Sequence, residues 1–458
     1  MNTPSPAQLA AWDARHVWHP FTPHSVYADE SPLMVVGGEG HELIDVHGQR
    51  YLDGVASLWC NVFGHRHPHI DQAVKAQVDR LAHATFLGNA TGPAVHLAKR
   101  LVDLTPPNLT RVFYSDNGST AVEIALKMAW QYWQQVDGGR HRQRQLFITL
   151  GEAYHGDTIG AVSLGGISLF HARYGGLLFE TAKAPSPSCY RPPEGATREE
   201  AEEAAVVALE QMIAENAERL AGVVIEPGMQ GAAGILTQPK GYLKRVRAAC
   251  DRAGALLILD EVAVGFGRSG DALFACQSLG VEPDLLCLAK GLTGGYLPLS
   301  ATLATEAVFS AFLGPPAEGR TFFHGHTYTG NPLGAAAAHA TLDLFERDDV
   351  VAGLPAKRDH LATRLAALKD RPGVGDIRQF GLCVGIELVA DRETKTAYPA
   401  AERRGMKVCA EARRRGVFLR PLGDVIVLMP AISFSPAELT RLVDVVEAGI
   451  AAALPDAR

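Results

Sequence analysis

An apolar run that ends in a charged residue delivers that charge to the end of a buried strand. Two such runs stand out in this chain. Ala255-Leu-Leu-Ile-Leu-Asp260-Glu261 ends in carboxylates, and Leu285-Leu-Cys-Leu-Ala-Lys290 ends in an amine followed by the glycine-rich Gly291-Leu-Thr-Gly-Gly295. In open α/β sheets, ligands bind outside the carboxyl ends of the strands. A lone aspartate at such a place more often caps a helix, and a lone lysine more often snorkels to the surface. The glycines after Lys290, however, leave room for something bulky. A desolvated lysine has a lowered pKa and forms imines readily. Pyridoxal phosphate needs a lysine for its aldehyde and a carboxylate to keep its pyridine nitrogen protonated. Lys290 and Asp260 are expected to fill these two roles.

A phosphate also needs donors. Val112-Phe-Tyr-Ser-Asp-Asn-Gly118-Ser119-Thr120 reads as strand, polar turn and helix start. Backbone N–H groups of Gly118 and Ser119 at a helix N-terminus would cradle a dianion, although an ordinary capped helix has the same signature. Tyr154, beside the bend His155-Gly156, could stack on a pyridine ring or simply pack. Thr327, in the glycine-flanked loop Phe323–Pro332, offers a hydroxyl to a phosphate.

These groups need a scaffold that brings them together. From Arg111 onward, strand-like segments alternate with helical ones: strands at 112–115, 146–149, 223–226, 255–260, 285–288 and 299–303, and helices at 120–135, 199–216 and 240–252. The alternation predicts an α/β fold with a mostly parallel sheet and helices on both faces. Upstream, Leu33–Val36 and Glu42–Val46 read as strands. One helix follows with Val74, Val78 and Leu81 on its apolar face. A second opens with Pro93 and carries Val95, Ala98, Leu101 and Val102. An Ala-rich helix follows Asn331, and strands at 384–388 and 425–428 belong to a smaller α/β unit. The expected division is an N-terminal segment, 1–70, packing with the small domain; a large cofactor-binding domain, 71–335; and a C-terminal small domain, 336–458.

Composition narrows the function classes. The chain has 458 residues, 20% of them charged, and a formal net charge of −7, which argues against a nucleic-acid footprint. Seven scattered cysteines form no CxxC pair, so buried free thiols are expected rather than disulfides or zinc. His65, His67 and His69 flank a proline without nearby carboxylates, and no metal site is expected there. Gly265-Phe-Gly-Arg-Ser-Gly270 matches a dinucleotide fingerprint in letters but lacks the turn-to-helix context. The first residues lack a signal-peptide pattern and no apolar run reaches membrane-spanning length. A cytoplasmic location without membrane association is expected.

Leu259-Asp-Glu-Val-Ala-Val-Gly-Phe-Gly-Arg-Ser-Gly270, the Lys290 turn, Tyr154-His-Gly156 and His324-Gly-His-Thr-Tyr-Thr-Gly-Asn-Pro332 together resemble the class III aminotransferases, in the right order and spacing. The resemblance implies the fold type I architecture of pyridoxal-phosphate transferases and a homodimer with a shared active site. Trp18-His-Pro-Phe-Thr22, Lys127-Met-Ala-Trp-Gln-Tyr-Trp133 and Leu419-Arg-Pro-Leu-Gly423 are similar to the branch that aminates 8-amino-7-oxononanoate to 7,8-diaminononanoate in biotin biosynthesis. That likeness extends from about Trp18 to Met429. It implies that Lys290 carries the cofactor and moves the proton, that Asp260 pairs with the ring nitrogen, that Gly118 and Ser119 bind phosphate, and that Tyr154 stacks on the ring. His326 and Thr327 would also contact cofactor, Thr327 reaching that of the partner subunit. Phe21, Leu58, Trp59, Tyr154, Gly325 and Arg420 would contact substrate, with Arg420 holding its carboxylate. Phe21, Leu58 and His326 stand where the S-adenosylmethionine-using members carry Tyr, Trp and Pro. Gly423-Asp-Val-Ile426 and Gly375-Asp-Ile-Arg-Gln379 resemble the branch that uses lysine. Both amino donors therefore remain open, as does a class III ω-amino acid or diamine aminotransferase with a keto-acid acceptor.

Overall fold

The computed structural model describes residues 4–27 and 32–454. Its centre is a seven-stranded sheet. In spatial order the strands are Leu109–Ser115, Ser300–Thr305, Leu285–Leu288, Leu256–Asp260, Leu220–Ile225, Leu146–Leu150 and Ala182–Ala184. Ser300–Thr305 runs antiparallel to both of its neighbours, and the other six strands point the same way. Residues 220–225, 256–260, 285–288 and 300–305 are buried throughout. Continuous apolar runs of this kind belong to a sheet covered on both faces. Each fully buried Leu, Ile or Val contributes about 1.5–3 kcal/mol of hydrophobic stabilisation, so these strands anchor whatever their ends carry.

The helix Gly118–Gln135 covers one face. Asn117 starts it: the Asn117 side chain accepts from Thr120 N–H at 3.0 Å, and Thr120 Oγ1 accepts from Asn117 N–H at 3.1 Å. Ala121, Val122, Ala125, Leu126, Ala129 and Trp133 are buried along it, and Trp133 Nε1 donates to the Ala221 carbonyl at 2.8 Å. The Ala-rich helix is Pro332–Arg347. Its small side chains let it lie close to the helices Pro68–Val78 and Gly92–Leu104.

Two further four-stranded sheets flank this body. Strands 35–39, 42–45 and 50–53 form an antiparallel ladder, and Val417–Phe418 joins it parallel to Leu52–Asp53. Residues 374–380, 383–388, 425–428 and 421–422 form an antiparallel sheet. The strand Val374–Phe380 carried no readable sequence signal, because Gly375, Asp376 and Arg378 interrupt its apolar alternation. Arg378 is nonetheless buried there, 2.8 Å from Glu387 and donating to the Gly234 carbonyl.

Two helix faces differ from expectation. Val78, Leu81 and Val95 are exposed. The helix 68–78 buries Ile70 and Gln77 instead, and the helix 92–104 buries Ala94, Leu97 and Leu101. Of the expected faces, Leu101 is buried and Val74 and Ala98 pack against the core, so the spacing locates part of each stripe and misplaces the rest. All seven cysteines are free, and Cys250, Cys276, Cys287, Cys383 and Cys409 are buried.

Candidate active site

Because six strands share one direction, the residues that follow them collect along one edge of the sheet. A cavity of about 390 Å3 opens there, within the usual range for small-ligand sites of roughly 300–1,000 Å3. Asp260 is the last residue of its strand, and Lys290 lies two residues beyond Leu288. Gly118 and Ser119 begin the helix after the 109–115 strand. Tyr154 and His155 follow the 146–150 strand, and Glu226 follows Ile225. All of them line the cavity, with Trp59 and Cys60 arriving from the N-terminal segment.

Asp260 is buried. Its Oδ2 lies 2.8 Å from His155 Nδ1, and its Oδ1 accepts from Val262 N–H at 3.0 Å. Burial works against a charged His155 ring, but the hydrogen bond and charge of Asp260 outweigh it, and the ring's pKa lies above its usual value. Burial pushes the Lys290 ammonium down from its ordinary value, with Asp260 opposing the shift. Lys290 adopts φ +45°, in the left-handed region, and its Nζ sits 5.0 Å from the centre of the Trp59 ring. Backbone strain of this kind concentrates at functional positions.

The helix start expected to cradle a phosphate is shaped by close approach. The Ser119 hydroxyl accepts from Asp157 N–H at 3.1 Å. Gly156 has φ +122°, and a Cβ there would collide with the Ser119 side chain; only glycine lets the Tyr154–Asp157 turn reach the helix start. A Cβ on Gly118 would likewise strike Val262. The first-turn N–H groups of such a helix have no intrahelical acceptor and carry the positive end of its dipole. Tyr154 is half-buried beside them. Its hydroxyl donates to Asp157 at 2.7 Å, and burial, then Asp157, raises its pKa.

An amine of depressed pKa, a buried carboxylate and a helix N-terminus in one cavity fit the three demands of pyridoxal phosphate: its aldehyde, its ring nitrogen and its phosphate. Two groups of the site are missing from the sequence expectation. His155 reads only as part of a turn, because nothing local indicates that its ring meets Asp260. Glu226 ends an apolar strand, the same signal that marked Asp260. Its carboxyl accepts from Tyr154 N–H at 3.1 Å and Gly231 N–H at 2.9 Å, and burial raises its pKa to about 7.

Six expected site residues stand apart from the cavity lining: Phe21, Leu58, Gly325, His326, Thr327 and Arg420. Phe21 and Leu58 are exposed. Phe21 packs edge-on to Phe170, which in turn meets Tyr154. His326 Nδ1 lies 3.4 Å from Asp116, at the border of the cradle, and its Nε2 lies 3.2 Å from His324. The Thr327 carbonyl accepts from His83. Arg420 is exposed and, among the described residues, has no hydrogen-bond or ion-pair partner. The histidines near Pro68 serve the scaffold: His65 meets Asp53, His67 caps the 68–78 helix, and His69 lies 3.2 Å from Asp343. No group of three metal-ligating side chains occurs among the described residues.

Comparison with known proteins agrees with this geometry. The family model described as aminotransferase class-III matches residues 25–450. The adenosylmethionine-8-amino-7-oxononanoate aminotransferase of Nitratidesulfovibrio vulgaris is 54% identical over 446 residues, covering 97% of this chain and 82% of that protein. Its namesake from Geobacter sulfurreducens is 52% identical, covering 96% of this chain and 97% of that protein. The crystal structure of the Methanocaldococcus jannaschii protein of the same name superimposes with a TM-score of 0.90 at 42% identity, covering 96% of this chain and 98% of that one. An (S)-enantioselective omega-transaminase from Thermomicrobium roseum superimposes with a TM-score of 0.92 at 35% identity, covering 99% of this chain and 100% of that one.

Proposed function

The chain belongs to the class-III aminotransferases, and from that premise we propose that its site aminates the ketone of 8-amino-7-oxononanoate to give 7,8-diaminononanoate for biotin. It is an enzyme that uses pyridoxal phosphate. The observation that carries the reading is the meeting of Lys290, Asp260 and the Gly118–Ser119 helix start in one cavity.

Bound pyridoxal phosphate supplies an aldehyde and an electron-withdrawing ring. Lys290 would hold the aldehyde, and its Nζ, once free, would take and return the proton as general base and acid. Burial lowers its pKa, a shift toward the neutral amine that this task uses. Asp260, fixed by His155 and Val262 N–H, would face the ring nitrogen and favour a proton there. Gly118 and Ser119 would bind the phosphate through backbone N–H groups, and Tyr154 would stack on the ring. Arg420 takes the carboxylate of the acceptor through its planar fork.

Phe21, Leu58, Trp59, Gly325, His326 and Thr327 complete the site as substrate and cofactor contacts. In this proposal a second copy of the chain covers the exposed half of the site and Thr327 serves the partner's cofactor, which agrees with Gly325, His326 and Thr327 lying outside the cavity of their own chain. The domain division at 70 and 335, and a cytoplasmic location, belong to the same proposal. In support of the first, the strand 50–53 pairs with Val417–Phe418. In support of the second, no helix among the described residues is long and apolar enough to cross a membrane.

The amino donor is S-adenosylmethionine, as in the names of the relatives, or lysine. The cofactor-loaded protein is mixed with each separately, and its visible absorbance is followed before 8-amino-7-oxononanoate is added. Loss of absorbance with one donor, then recovery with formation of 7,8-diaminononanoate by mass spectrometry, is the expected result. The 35% identity to an omega-transaminase supports, less closely than the 54% and 52% matches support the first, a second reading: a class III ω-amino acid or diamine aminotransferase with a keto-acid acceptor. Recovery with pyruvate or 2-oxoglutarate but not with 8-amino-7-oxononanoate would replace the first reading with the second.

A further inference from the structure

Three non-glycine residues within four positions have positive φ: Ala56 at +47°, Ser57 at +61° and Trp59 at +64°. Side chains with a Cβ avoid this region, so such a turn persists only where its surroundings over-determine it. Here the surroundings are polar and specific. Asp53 is buried and accepts from Val55 N–H at 3.3 Å and from Ser57 N–H at 2.8 Å. His65 Nε2 lies 3.0 Å from the same Asp53 Oδ2, and His65 Nδ1 lies 3.1 Å from Asn61 Nδ2. These partners assign the tautomer: Nε2–H donates to Asp53, and Nδ1 accepts from the Asn61 amide. Asn61 is itself buried, and it stands against the turn that follows Lys290. A Cβ on Gly295 would lie 2.9 Å from Asn61 Cα.

What the strained turn presents is Trp59. Its ring is nearly buried, its centre 5.0 Å from Lys290 Nζ, and its far edge rests on Gly231, where a Cβ would come within 3.2 Å. Gly231 N–H donates to Glu226. The indole is thus one wall of the cavity, between the lysine and the Glu226 carboxyl. The positive φ of Ala56, Ser57 and Trp59 sets the direction in which it points.

We propose that Asp53, His65 and Asn61 are positioning residues that clamp the 56–59 turn in its strained form and so hold the Trp59 indole as the wall against which the amino donor binds. The inference rests on the reading that this cavity admits the donor. None of the three touches the reacting atoms; His65 acts through Asp53, and Asp53 through the Ser57 amide.

The test uses the full-length cofactor-loaded protein and five forms of it: wild type, His65→Ala, Asn61→Ala, Trp59→Ala and the double variant His65→Ala/Trp59→Ala. Donor KM is measured with S-adenosylmethionine and with lysine, and amide exchange over 53–61 is measured on the cofactor-free protein. His65→Ala is expected to raise the KM of the active donor about tenfold, the worth of one hydrogen bond to a charged group, and to speed exchange at Ser57. Asn61→Ala should do the same by about threefold. In the Trp59→Ala background, His65→Ala should change KM no further, because its effect passes through the indole. An equal rise in both backgrounds would overturn the proposal, as would unchanged KM and unchanged exchange in His65→Ala. If His65→Ala does not fold, Asn61→Ala decides by the same criteria. A wild type inactive on both donors would sink the substrate reading and leave the exchange measurement to judge the clamp.

Discussion

The expected site residues that meet in the cavity and those that stand outside it lie in two differently built regions. The first is the carboxyl edge of the central sheet. There Asp260, His155, Lys290 and the Gly118–Ser119 helix start are collected by one chain's topology, and the Asp260–His155 contact is closed at 2.8 Å. The second comprises Phe21, Leu58, Arg420 and the 323–328 loop. It is exposed, and large apolar groups such as Phe323 and Tyr328 stand in solvent. The first region is therefore brought together by the folding of one chain. The second, in the proposed function, is finished by assembly.

The largest effect that could break this contrast is at Lys290. Lys290→Ala should abolish turnover, by about 10^4-fold or more, and with it the visible absorbance of the bound cofactor. Retained transamination in a stopped assay would remove the amine from the centre of the first region. Asp260→Asn is expected next, lowering kcat on the order of 10^3-fold, the scale of one preorganised electrostatic group, and leaving His155 buried without its counter-charge. A thermal melt should then show a loss of stability, since breaking a buried charge pair costs about 3–5 kcal/mol.

In the second region the expected effects are smaller and fall on binding. Arg420→Ala should raise KM for 8-amino-7-oxononanoate roughly 10- to 100-fold with little change in kcat, matching the loss of charge-assisted hydrogen bonds. A matching loss for the amino donor instead would place Arg420 in the other substrate's subsite.

The smallest effect returns to the first region and concerns stability alone. Burial raises the Glu226 pKa to about 7 from an ordinary value of 4.5. Between those values the folded state binds the proton and the unfolded state does not, so this group's contribution to stability falls as pH rises from about 4.5 to about 7. Glu226→Gln should remove that slope. It should leave the cofactor-free variant more stable than wild type at pH 8 by roughly 2 kcal/mol relative to pH 5, as read from denaturation at the two values. Parallel curves for the two proteins would show that Glu226 stays ionised throughout.

Much of the first region was legible beforehand. Asp260 and Lys290 end apolar strands, and a parallel sheet sends all such ends to one edge, so strand assignment alone brings them together. Glu226 carried the same mark unread. His155 carried none, because its role depends on a bend that turns its ring back toward a strand 105 residues later in sequence. The 374–380 strand was hidden for a related reason: its buried Arg378 is neutralised by Glu387 from the adjacent strand, a partner that periodicity does not show. Val78 and Val95 were assigned to the core because helical spacing reports an apolar stripe without saying what covers it.

By itself the sequence determined which chemistry is present: a lysine and a carboxylate at buried strand ends, a glycine-bearing helix start and the alternation that makes a parallel sheet. These are local properties, fixed by residue type and short-range spacing. Only the tertiary structure decided which groups meet. It set His155 against Asp260, and it put the Trp59 indole over Lys290 on a strained turn held by Asp53. It also left Phe21, Leu58 and Arg420 on the outside. Those outcomes depend on contacts between segments far apart in the chain, and pairings of that kind are settled by packing and burial rather than by the order of residues along a strand.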